Sequence, residues 1–394
     1  MDLLLNSLWA AIQLIIGYNL VFPVMLALFV FIKGKSHKKV SLVPREADYA
    51  IIVTAYQYTD NLNAVVSSLS KLNYGNYLIY IVADNCDTTG LSFNNEKVIL
   101  LKPDLVLASN TRSHFYAIEN FRREHERLTI IDSDNLVDPE YLNELNVYFD
   151  QGFEAVQGVR EAKNLDTTYA CLDAARDIYY HYYDGKLLFE AGSSATLAGS
   201  GMAFTLSLYK DCLEKRDITG AGFDKILQSE IIKRNKRIAF APAALVYDEK
   251  TSRADQLVNQ RARWINTWFK YFRFGFVLLA KGLGNMSWNQ ILFGLTLLRP
   301  PLFIFLILSL MLMLLNVFVA PLVAGIWLAG LICFVAGFIV ALKSSETDAR
   351  IYRSLSGIPR FIFFQLVSLT NIFKANKRSV STQHYHHNQD QGSV

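Results

Sequence analysis

The chain has 394 residues, of which 52% are hydrophobic and 19% are charged. This composition is too apolar for an ordinary soluble protein and too charged for a chain lying wholly in a membrane, so we expect a soluble part and a membrane part. The net charge of +4 is small, and the basic residues cluster beside apolar runs, which indicates contact with lipids and excludes the broad basic stripe of a nucleic-acid binder. The four cysteines have no CxxC spacing, which argues against a disulfide framework and a zinc site.

The first apolar run, Leu3 to Ile32, contains no charged residue and would measure about 45 Å as a helix. That length crosses a bilayer once with tilt but not twice, so residues 1–33 are predicted to form one transmembrane anchor. The alternative, a cleaved signal peptide, would have a basic start and a shorter apolar run. Five basic residues follow in KGKSHKKVSLVPR, and the positive-inside rule therefore puts the next segment in the cytosol.

Residues 46–253 alternate short apolar runs with segments of helical periodicity. The apolar runs are YAIIVTAY, LIYIVAD, KVILLKP, LTIIDSD and EAVQGVR. Such alternation predicts an α/β domain with a mostly parallel sheet. Ligands bind such sheets at the carboxyl ends of the strands, where Asp84 and Asp132 end two of the runs.

Two aspartates, Asp132 and Asp134, stand one residue apart directly after a buried run. Nearby Asp138 precedes Pro139 and a helical segment, and it fits a helix N-cap with no catalytic role. Asp132 and Asp134 lie too far upstream to serve that cap, and two adjacent carboxylates repel each other unless a cation joins them. Such oxygen ligands suit Mg²⁺ or Mn²⁺, which bind through one or two carboxylates together with substrate phosphates. The alternative is that both are ordinary turn residues.

The rest of the chain is predicted to lie on or in the membrane. Residues 254–283 are rich in arginine and aromatic side chains and are typical of an amphipathic interfacial helix. Residues 289–342 are predicted to form a transmembrane hairpin with a break around Asn316 to Pro321. Residues 350–376 hold only a short uncharged run, which favours an interfacial or re-entrant helix over a further crossing that would leave the basic tail outside. Residues 377–394 form a polar tail.

Four motifs stand in one order along the chain: IVADNCDTTG, IIDSDN, LAGSGMAF and QRARW. In this order they resemble the membrane-bound family 2 glycosyltransferases, which include the cellulose, chitin, hyaluronan and poly-N-acetylglucosamine synthases. The resemblance extends over nearly the whole chain, and the Q-x-x-R-W motif is its most specific part. It implies a GT-A catalytic domain, a nucleotide-sugar donor, a divalent cation and transfer with inversion.

The resemblance also implies a role for each matching residue. Asp84 would hold the uracil or ribose end of the donor, while Asp132 and Asp134 would bind the diphosphate and its metal. The acceptor pocket would be formed by Gly199, Ser200, Gly201 and Met202, and the site would be closed by Gln260, Arg263 and Trp264. The forked guanidinium of Arg263 suits a diphosphate, and the flat ring of Trp264 suits a sugar face. Asp224 would be the catalytic base, and its alternative is a helix N-cap.

The chain departs from the family pattern at three places. Phe223 stands where an acidic neighbour of the base is usual. TAYQYTD replaces a Pro-x-x-Asn-Glu-like turn, so Asp60 is expected to take the acidic role near uridine. TRSHFYAIENF replaces a Gly-Lys-rich turn, so Arg112 is expected to contact phosphate.

Thr382 and His384 fit a Thr-x-His-like element that would fold over the donor, and the alternative is a disordered tail.

These expectations describe an inverting glycosyltransferase that uses a UDP-sugar to build and export a polysaccharide at the cytosolic face of the cell membrane. One alternative is a non-processive glycosyltransferase that acts on a lipid carrier and needs no channel. Another is a non-catalytic membrane protein that only binds a nucleotide sugar. Because about three spans make a narrow channel from one copy, we expect a homo-oligomer or accessory export proteins.

Overall fold

The computed structural model describes residues 2–34 and 46–370, with side chains from residue 4 onward. Three features of the sequence lie outside the described residues. They are the basic run that follows the first helix, the end of the last predicted helix at 371–376, and the tail with Thr382 and His384.

The described residues form eight strands and fifteen α-helices. The strands are β1 (Tyr49–Tyr56), β2 (Tyr77–Asp84), β3 (Val98–Leu101), β4 (Arg127–Asp132), β5 (Leu136–Val137), β6 (Ala155–Ala162), β7 (Met202–Thr205) and β8 (Ile238–Asp248). The helices before β7 are α1 (Asp2–Lys33), α2 (Leu62–Leu69), α3 (Asn110–Glu119), α4 (Tyr141–Phe149), α5 (Thr168–Tyr180) and α6 (Leu188–Glu190), and a π-helical segment (His181–Leu187) joins the last two. The later helices are α7 (Leu206–Leu213), α8 (Phe223–Lys233), α9 (Ala254–Tyr271), α10 (Arg273–Gly284), α11 (Trp288–Leu298), α12 (Leu302–Val319), α13 (Pro321–Lys343), α14 (Ala349–Ser354) and α15 (Ile358–Thr370), with a 3₁₀ turn (Leu355–Gly357) before α15.

The eight strands form one mixed sheet in the order β3-β2-β1-β4-β7-β6-β8-β5. Strands β3, β2, β1 and β4 run parallel, whereas β7 is antiparallel to both β4 and β6. The sheet is therefore less parallel than the sequence predicted. Strand β7 reverses because the chain enters it through a tight turn, in which Gly199 and Gly201 have φ angles of +88° and +65°.

Burial differs among the runs that the sequence marks as strands, and it is greatest in β1, β2 and β4. All but two of the residues of β1 are fully buried, which is typical of a central parallel strand covered on both faces. Strand β8 is not among the runs that the sequence analysis marks as strands, and it contains Pro242. Pro242 is tolerated because the pairing of β6 with β8 breaks between Gln157 and Val159, where a bulge removes the need for its missing amide.

Three helices are long and apolar enough to cross a membrane, namely α1 from Leu4, α12 and α13. Helices α12 and α13 meet at Ala320, within the predicted break. Helix α1 packs against both of them, and the amide oxygen of Gln13 accepts hydrogen bonds from Asn316 Nδ2 and Trp327 Nε1, each at 2.8 Å. The anchor and the hairpin therefore form one bundle.

The helix predicted over 254–283 is two helices, α9 and α10, which divide at Phe272. Helix α10 turns away to pack against α11 at very close range. A Cβ added at Gly275 would lie 2.8 Å from the carbonyl oxygen of Gly294, so only glycine permits this approach. Helix α15 packs against α9, and thirteen of its residues are described.

Candidate active site

A cavity of about 1320 Å³ opens at the carboxyl ends of β1, β2 and β4. These strands are neighbours in parallel register, with Tyr56 paired to Asp84 and Thr54 paired to Asp132, so their ends meet at one edge of the sheet. The volume exceeds that of an ordinary small-ligand pocket, which is about 300–1,000 Å³. Its walls continue from this sheet edge past α8 and α9 to α12, α13 and α15.

The acidic turn, residues 132–135, follows β4 and contributes Asp132 and Asp134 to the cavity wall. The turn is closed by a hydrogen bond from Asn135 N to the carbonyl oxygen of Asp132 at 3.1 Å. The hydroxyl of Ser200 supports it from behind, because its oxygen accepts from Asp132 N at 3.1 Å and from Asn135 Nδ2 at 2.8 Å. The turn is thus held by buried bonds while its two carboxylates border the cavity.

Asp138 is not the N-cap of α4, which begins at Tyr141 with Glu140 before it. Its carboxylate does accept a hydrogen bond from Glu140 N at 2.9 Å, so it stabilises the turn that leads into the helix. The sequence therefore placed the helix start two residues early. The inference that Asp138 serves local structure matches this contact.

Asp84 and Asp60 border the same cavity in different surroundings. Asp84 is buried, and its two carboxylate oxygens accept from Leu107 N at 2.9 Å and from Ala108 N at 2.8 Å, so it anchors the loop before α3. Asp60 is exposed at the start of α2.

The glycine turn, residues 196–201, divides between the cavity and the core. Gly199 lines the cavity, and a Cβ added there would contact nothing within 4 Å. Ser200, Gly201 and Met202 do not line it, because they turn toward the sheet and Met202 is already part of β7. Their predicted contact with an acceptor is therefore not supported. The sequence shows that these residues are adjacent in the chain but not which way each one faces.

Gln157 on β6 holds the glycine turn in place. Its Oε1 accepts from Ala198 N at 2.9 Å, and its Nε2 donates to the carbonyl oxygens of Ser200 and Gly201 at 3.1 and 3.2 Å. Gln157 is itself buried and borders the cavity. The sequence analysis missed it, although a glutamine inside an apolar strand is a signal of a buried polar role.

Asp224 lies in the first turn of α8 and borders the cavity. The N-cap of this helix is Gly222, with a φ of +98°, so the alternative that Asp224 is the cap is wrong. The Asp224 carboxylate is 3.0 Å from the ammonium of Lys225, which also donates to the carbonyl oxygen of Leu197 at 2.9 Å. Only 15% of its side chain is exposed.

Phe223, which stands beside Asp224, also borders the cavity, and its ring packs against the His114 ring with centroids 5.2 Å apart. Burial lowers the pKa of His114 to about 3, and its Nδ1 shares a hydrogen bond with the hydroxyl of Tyr209 at 2.7 Å. His114 is therefore a neutral core residue and does not border the cavity.

Helix α9 brings Gln260, Arg263 and Trp264 to the cavity. Burial lowers the pKa of Arg263, and the negative charge of Asp132 opposes that shift, so the two groups interact electrostatically. The amide oxygen of Gln260 accepts from the hydroxyl of Thr251 at 2.9 Å. Cations contact the ring of Trp264, because the guanidinium carbons of Arg176 and Arg261 lie 4.2 and 4.3 Å from its centroid. Trp264 is thus less free to stack on a sugar than the sequence suggested.

Arg112 is not brought to the cavity. Its guanidinium forms a two-point ion pair with Asp217, with Nε–Oδ1 and Nη2–Oδ2 distances of 2.8 and 2.7 Å, on the exposed surface. A third bond links it to the carbonyl oxygen of Leu107. The predicted phosphate contact is therefore not supported, because the fork is occupied by a partner 105 residues away in sequence.

A buried ionic network, which sequence reasoning missed, forms part of the cavity wall. The ammonium of Lys250 binds Asp177 at 2.6 Å and also binds Asp248, which pairs in turn with Arg160. Although burial raises it, the pKa of Asp177 is held well below its usual range by Arg176 and Lys250. Asp248 ends β8 as Asp84 ends β2 and Asp132 ends β4, and this repeated pattern could have revealed it.

The residues present fit a divalent cation that arrives with a phosphate ligand. Within residues 2–34 and 46–370, no group of three or more histidine, cysteine or acidic side chains could hold a metal ion alone. The acidic turn offers two carboxylates at the cavity wall, and Mg²⁺ or Mn²⁺ commonly takes one or two carboxylates and completes its shell with water and substrate phosphate.

A family model described as glycosyltransferase like family 2 matches residues 44–267, more than half of the chain. The chain belongs to this family. The matched segment contains Asp84, the acidic turn, Asp224 and the Q-x-x-R-W motif, which are the parts that border the cavity. The model describes the broad family and does not single out the polysaccharide synthases.

The fold of this family 2 glycosyltransferase is similar to that of a solved mannosyltransferase, PcManGT from Pyrobaculum calidifontis, in complex with GDP-Man and Mn²⁺. The TM-score is 0.53 at 12% identity, and the likeness covers 92% of this chain and 97% of that chain. At this identity it shows a shared fold, a GT-A-like domain with added helices.

Two further solved structures are TarS residues 1–349 and TarS from S. aureus. Their TM-scores are 0.40 and 0.39, their identities are 14% and 13%, and they cover 59% and 64% of this chain and 65% and 55% of their own. No curated protein matches the sequence significantly.

Proposed function

We propose that this protein is a metal-assisted, inverting glycosyltransferase that takes its sugar from a UDP-linked donor at the cytosolic face of the cell membrane. One observation carries the proposal. The acidic turn, the start of α8 and the Q-x-x-R-W helix are far apart in sequence, yet they border the same cavity at the carboxyl ends of parallel strands. Ligand sites in open α/β sheets lie at this edge.

The donor end of the cavity is assigned to Asp84, Asp60, the acidic turn and Arg263. Arg263 supplies a fixed positive charge beside Asp132, where the negative diphosphate and its cation would together balance the local charge. Asp132 and Asp134 would hold the cation, which supplies charge neutralisation for the departing diphosphate. Gln260 accepts a hydrogen bond from the hydroxyl of Thr251, which ties the segment before α9 to the Q-x-x-R-W motif.

The transfer step is a single displacement at the anomeric carbon. The acceptor hydroxyl oxygen forms a bond to that carbon from the face opposite the diphosphate, and its proton passes to the Asp224 carboxylate. The bond from the anomeric carbon to the diphosphate oxygen breaks, and its electron pair leaves with UDP. Attack from the opposite face inverts the configuration. Asp224 suits this role because it borders the cavity on a rigid helix, and general-base catalysis requires such a positioned group.

The membrane location is supported by the three long apolar helices. Polysaccharide synthesis and export, with partners or self-association, stays a prediction from the family resemblance.

The test is binding and turnover in two carboxylate variants with a matched control. Asp132→Asn and Asp134→Asn should each lose Mn²⁺-dependent UDP binding in calorimetry and lose sugar transfer from a UDP-sugar panel. The control is Asp138→Asn, which removes a nearby carboxylate that does not border this cavity. Asparagine can still accept the hydrogen bond from Glu140 N, so UDP binding and transfer should stay as in the wild type.

Normal metal-dependent binding in both site variants would contradict the assignment of the acidic turn. GDP in place of UDP serves as the second ligand, and preferential binding of GDP would contradict the UDP assignment while leaving the site intact.

A further inference from the structure

The cavity continues from the sheet edge into the helices that are apolar enough to cross a membrane. We call this part the apolar arm, and it is lined by residues of α12, α13 and α15 that include Leu302, Leu306, Phe334, Phe338, Ile339 and Phe361. Of the side chains that these three helices contribute to the cavity in the described part of the chain, Gln365 alone is polar. Val335 also lines the arm and is 58% exposed, so the arm reaches the outer surface of α13.

This lining suits a hydrocarbon chain and not a glycan. A sugar chain threaded through the arm would exchange its hydrogen bonds to water for contacts with apolar side chains, and each unpaired hydroxyl would be costly. A lipid tail that moves from the bilayer into the arm passes between two equally apolar surroundings and meets no such cost.

Between the apolar arm and the sheet edge, the positive charges that border the cavity are already paired. Arg299 binds Asp184 at 2.7 Å and the hydroxyl of Tyr179 at 3.1 Å. Arg176 binds Asp173 at 3.2 Å and also pairs with Asp177. A neutral hydroxyl can enter beside these ion pairs without bringing a further charge into the buried part of the cavity.

A buried donor lies one helical turn from the base. Gln228 is four residues after Asp224 on α8, lines the cavity and is fully buried. Its Oε1 accepts from Leu197 N at 3.0 Å, which sets the orientation of the amide, and its Nε2 has no hydrogen-bond partner among the described residues. This N–H is suited to the lone pair of an acceptor hydroxyl whose proton Asp224 removes.

We infer that the acceptor is a hydroxyl group carried on a neutral lipid, whose tail occupies the apolar arm while the hydroxyl reaches Gln228 and Asp224. The inference rests on the proposed function, and it names the substrate class of the same site. The hydroxyl proton passes to Asp224, the oxygen bonds to the anomeric carbon of the donor sugar, and UDP leaves with the electron pair of the broken bond. The product is a neutral glycolipid with one more sugar.

The experiment uses the full chain in lipid nanodiscs with Mn²⁺ and labelled UDP-sugars. The acceptors are diacylglycerol, a monoglycosyl diacylglycerol, its short-tail analogue, a polyprenyl phosphate, and a water-soluble oligosaccharide. We expect label in a neutral, organic-soluble product, and a kcat/KM for the short-tail analogue that is lower by about tenfold or more, equivalent to about 1.4 kcal/mol. Faster transfer to the oligosaccharide or to the polyprenyl phosphate, or equal rates for both tail lengths, overturns the inference.

A matched pair of variants on α13 tests the arm itself. Ile339→Trp fills the arm, whereas Val340→Trp adds the same ring to the adjacent residue, which is 45% exposed and does not line the cavity. Ile339→Trp should lose about tenfold or more in kcat/KM for the long-tail acceptor with UDP binding unchanged, and Val340→Trp should match the wild type. Equal rates in both variants overturn the inference, and the tail-length series decides the matter if Ile339→Trp does not fold.

The donor readout separates the two proposals. A wild-type protein that binds UDP and transfers sugar, but not to lipid hydroxyls, overturns only the acceptor assignment. A protein that binds neither UDP nor GDP and transfers sugar to none of the five acceptors overturns the proposed function as well.

Discussion

Replacing Asp224 by asparagine should separate stability from chemistry. The carboxylate lies in the first turn of α8 and contacts one cation, Lys225, at 3.0 Å. Loss of a negative charge at a helix N-terminus costs about 0.3–1 kcal/mol, and a partly exposed ion pair contributes about 0–1 kcal/mol. Asparagine has nearly the same shape, so the free energy of unfolding should fall by no more than about 2 kcal/mol.

The loss of catalysis should be larger than the loss of stability. Asparagine cannot take the acceptor proton, and general-base catalysis contributes about 10² to 10⁴-fold, which is about 2.7–5.5 kcal/mol in the transition state. The acidic turn and Arg263 remain, so UDP should bind as in the wild type. The fall should then be in kcat, with little change in the dissociation constant for UDP.

The assay pairs UDP calorimetry and chemical unfolding with initial rates in Mn²⁺ buffer. Arg263→Ala is the contrasting variant, because it removes the cation beside Asp132 and should weaken both UDP binding and transfer. Arg263→Lys should restore them only in part, because an ammonium cannot reproduce the guanidinium fork. Near-normal turnover in Asp224→Asn, or a loss of UDP binding equal to that of Arg263→Ala, would refute the assignment of the base.

Three further predictions concern the framework of the site. Ser200→Ala leaves two donors of the acidic turn without an acceptor. The free energy of unfolding should therefore fall by about 1–3 kcal/mol, and the Mn²⁺-dependent affinity for UDP should fall as well. Unchanged values would show that the hydroxyl does not hold the turn. Gly222 has a φ of +98°, and Gly222→Ala would put a Cβ 2.5 Å from the Tyr271 ring. It should lower Tm more than Gly220→Ala, because Gly220 has a φ of +76° but open space around it. Equal losses of Tm would argue against the close approach. A cysteine at Val319 should react with an impermeant thiol reagent outside intact cells and one at Ser344 should not, and the reverse pattern would invert the topology.

The parts of the fold that could be predicted are those with a local pattern. The largely apolar runs that form β1, β2 and β4 are mostly buried, and β2 and β4 each end at an aspartate. Asp84 and Asp132 could therefore be assigned to one edge of the sheet from the sequence alone. The break between the long apolar helices was also visible, because Pro321 begins α13.

The parts that could not be predicted depend on direction or on distant partners. Nothing local tells that Ser200 turns inward to hold the acidic turn while Gly199 faces the cavity. Arg112 finds Asp217, and Lys250 finds Asp177, across 105 and 73 residues of sequence. Such pairs form because the fold brings the charges together, so the sequence pattern within one segment does not predict them.

The hydrogen bonds of Gln13 have a consequence for biogenesis. The two groups that donate to Gln13, on Asn316 and Trp327, are made more than 300 residues later. In the proposed membrane location, the first helix is inserted while the amide oxygen of Gln13 still lacks these two donors. The hydrogen bonds form only when α12 and α13 have been made, after the whole α/β domain has been synthesised. A chain cut between the anchor and the domain should therefore recover its membrane core only when both pieces are made together in one cell.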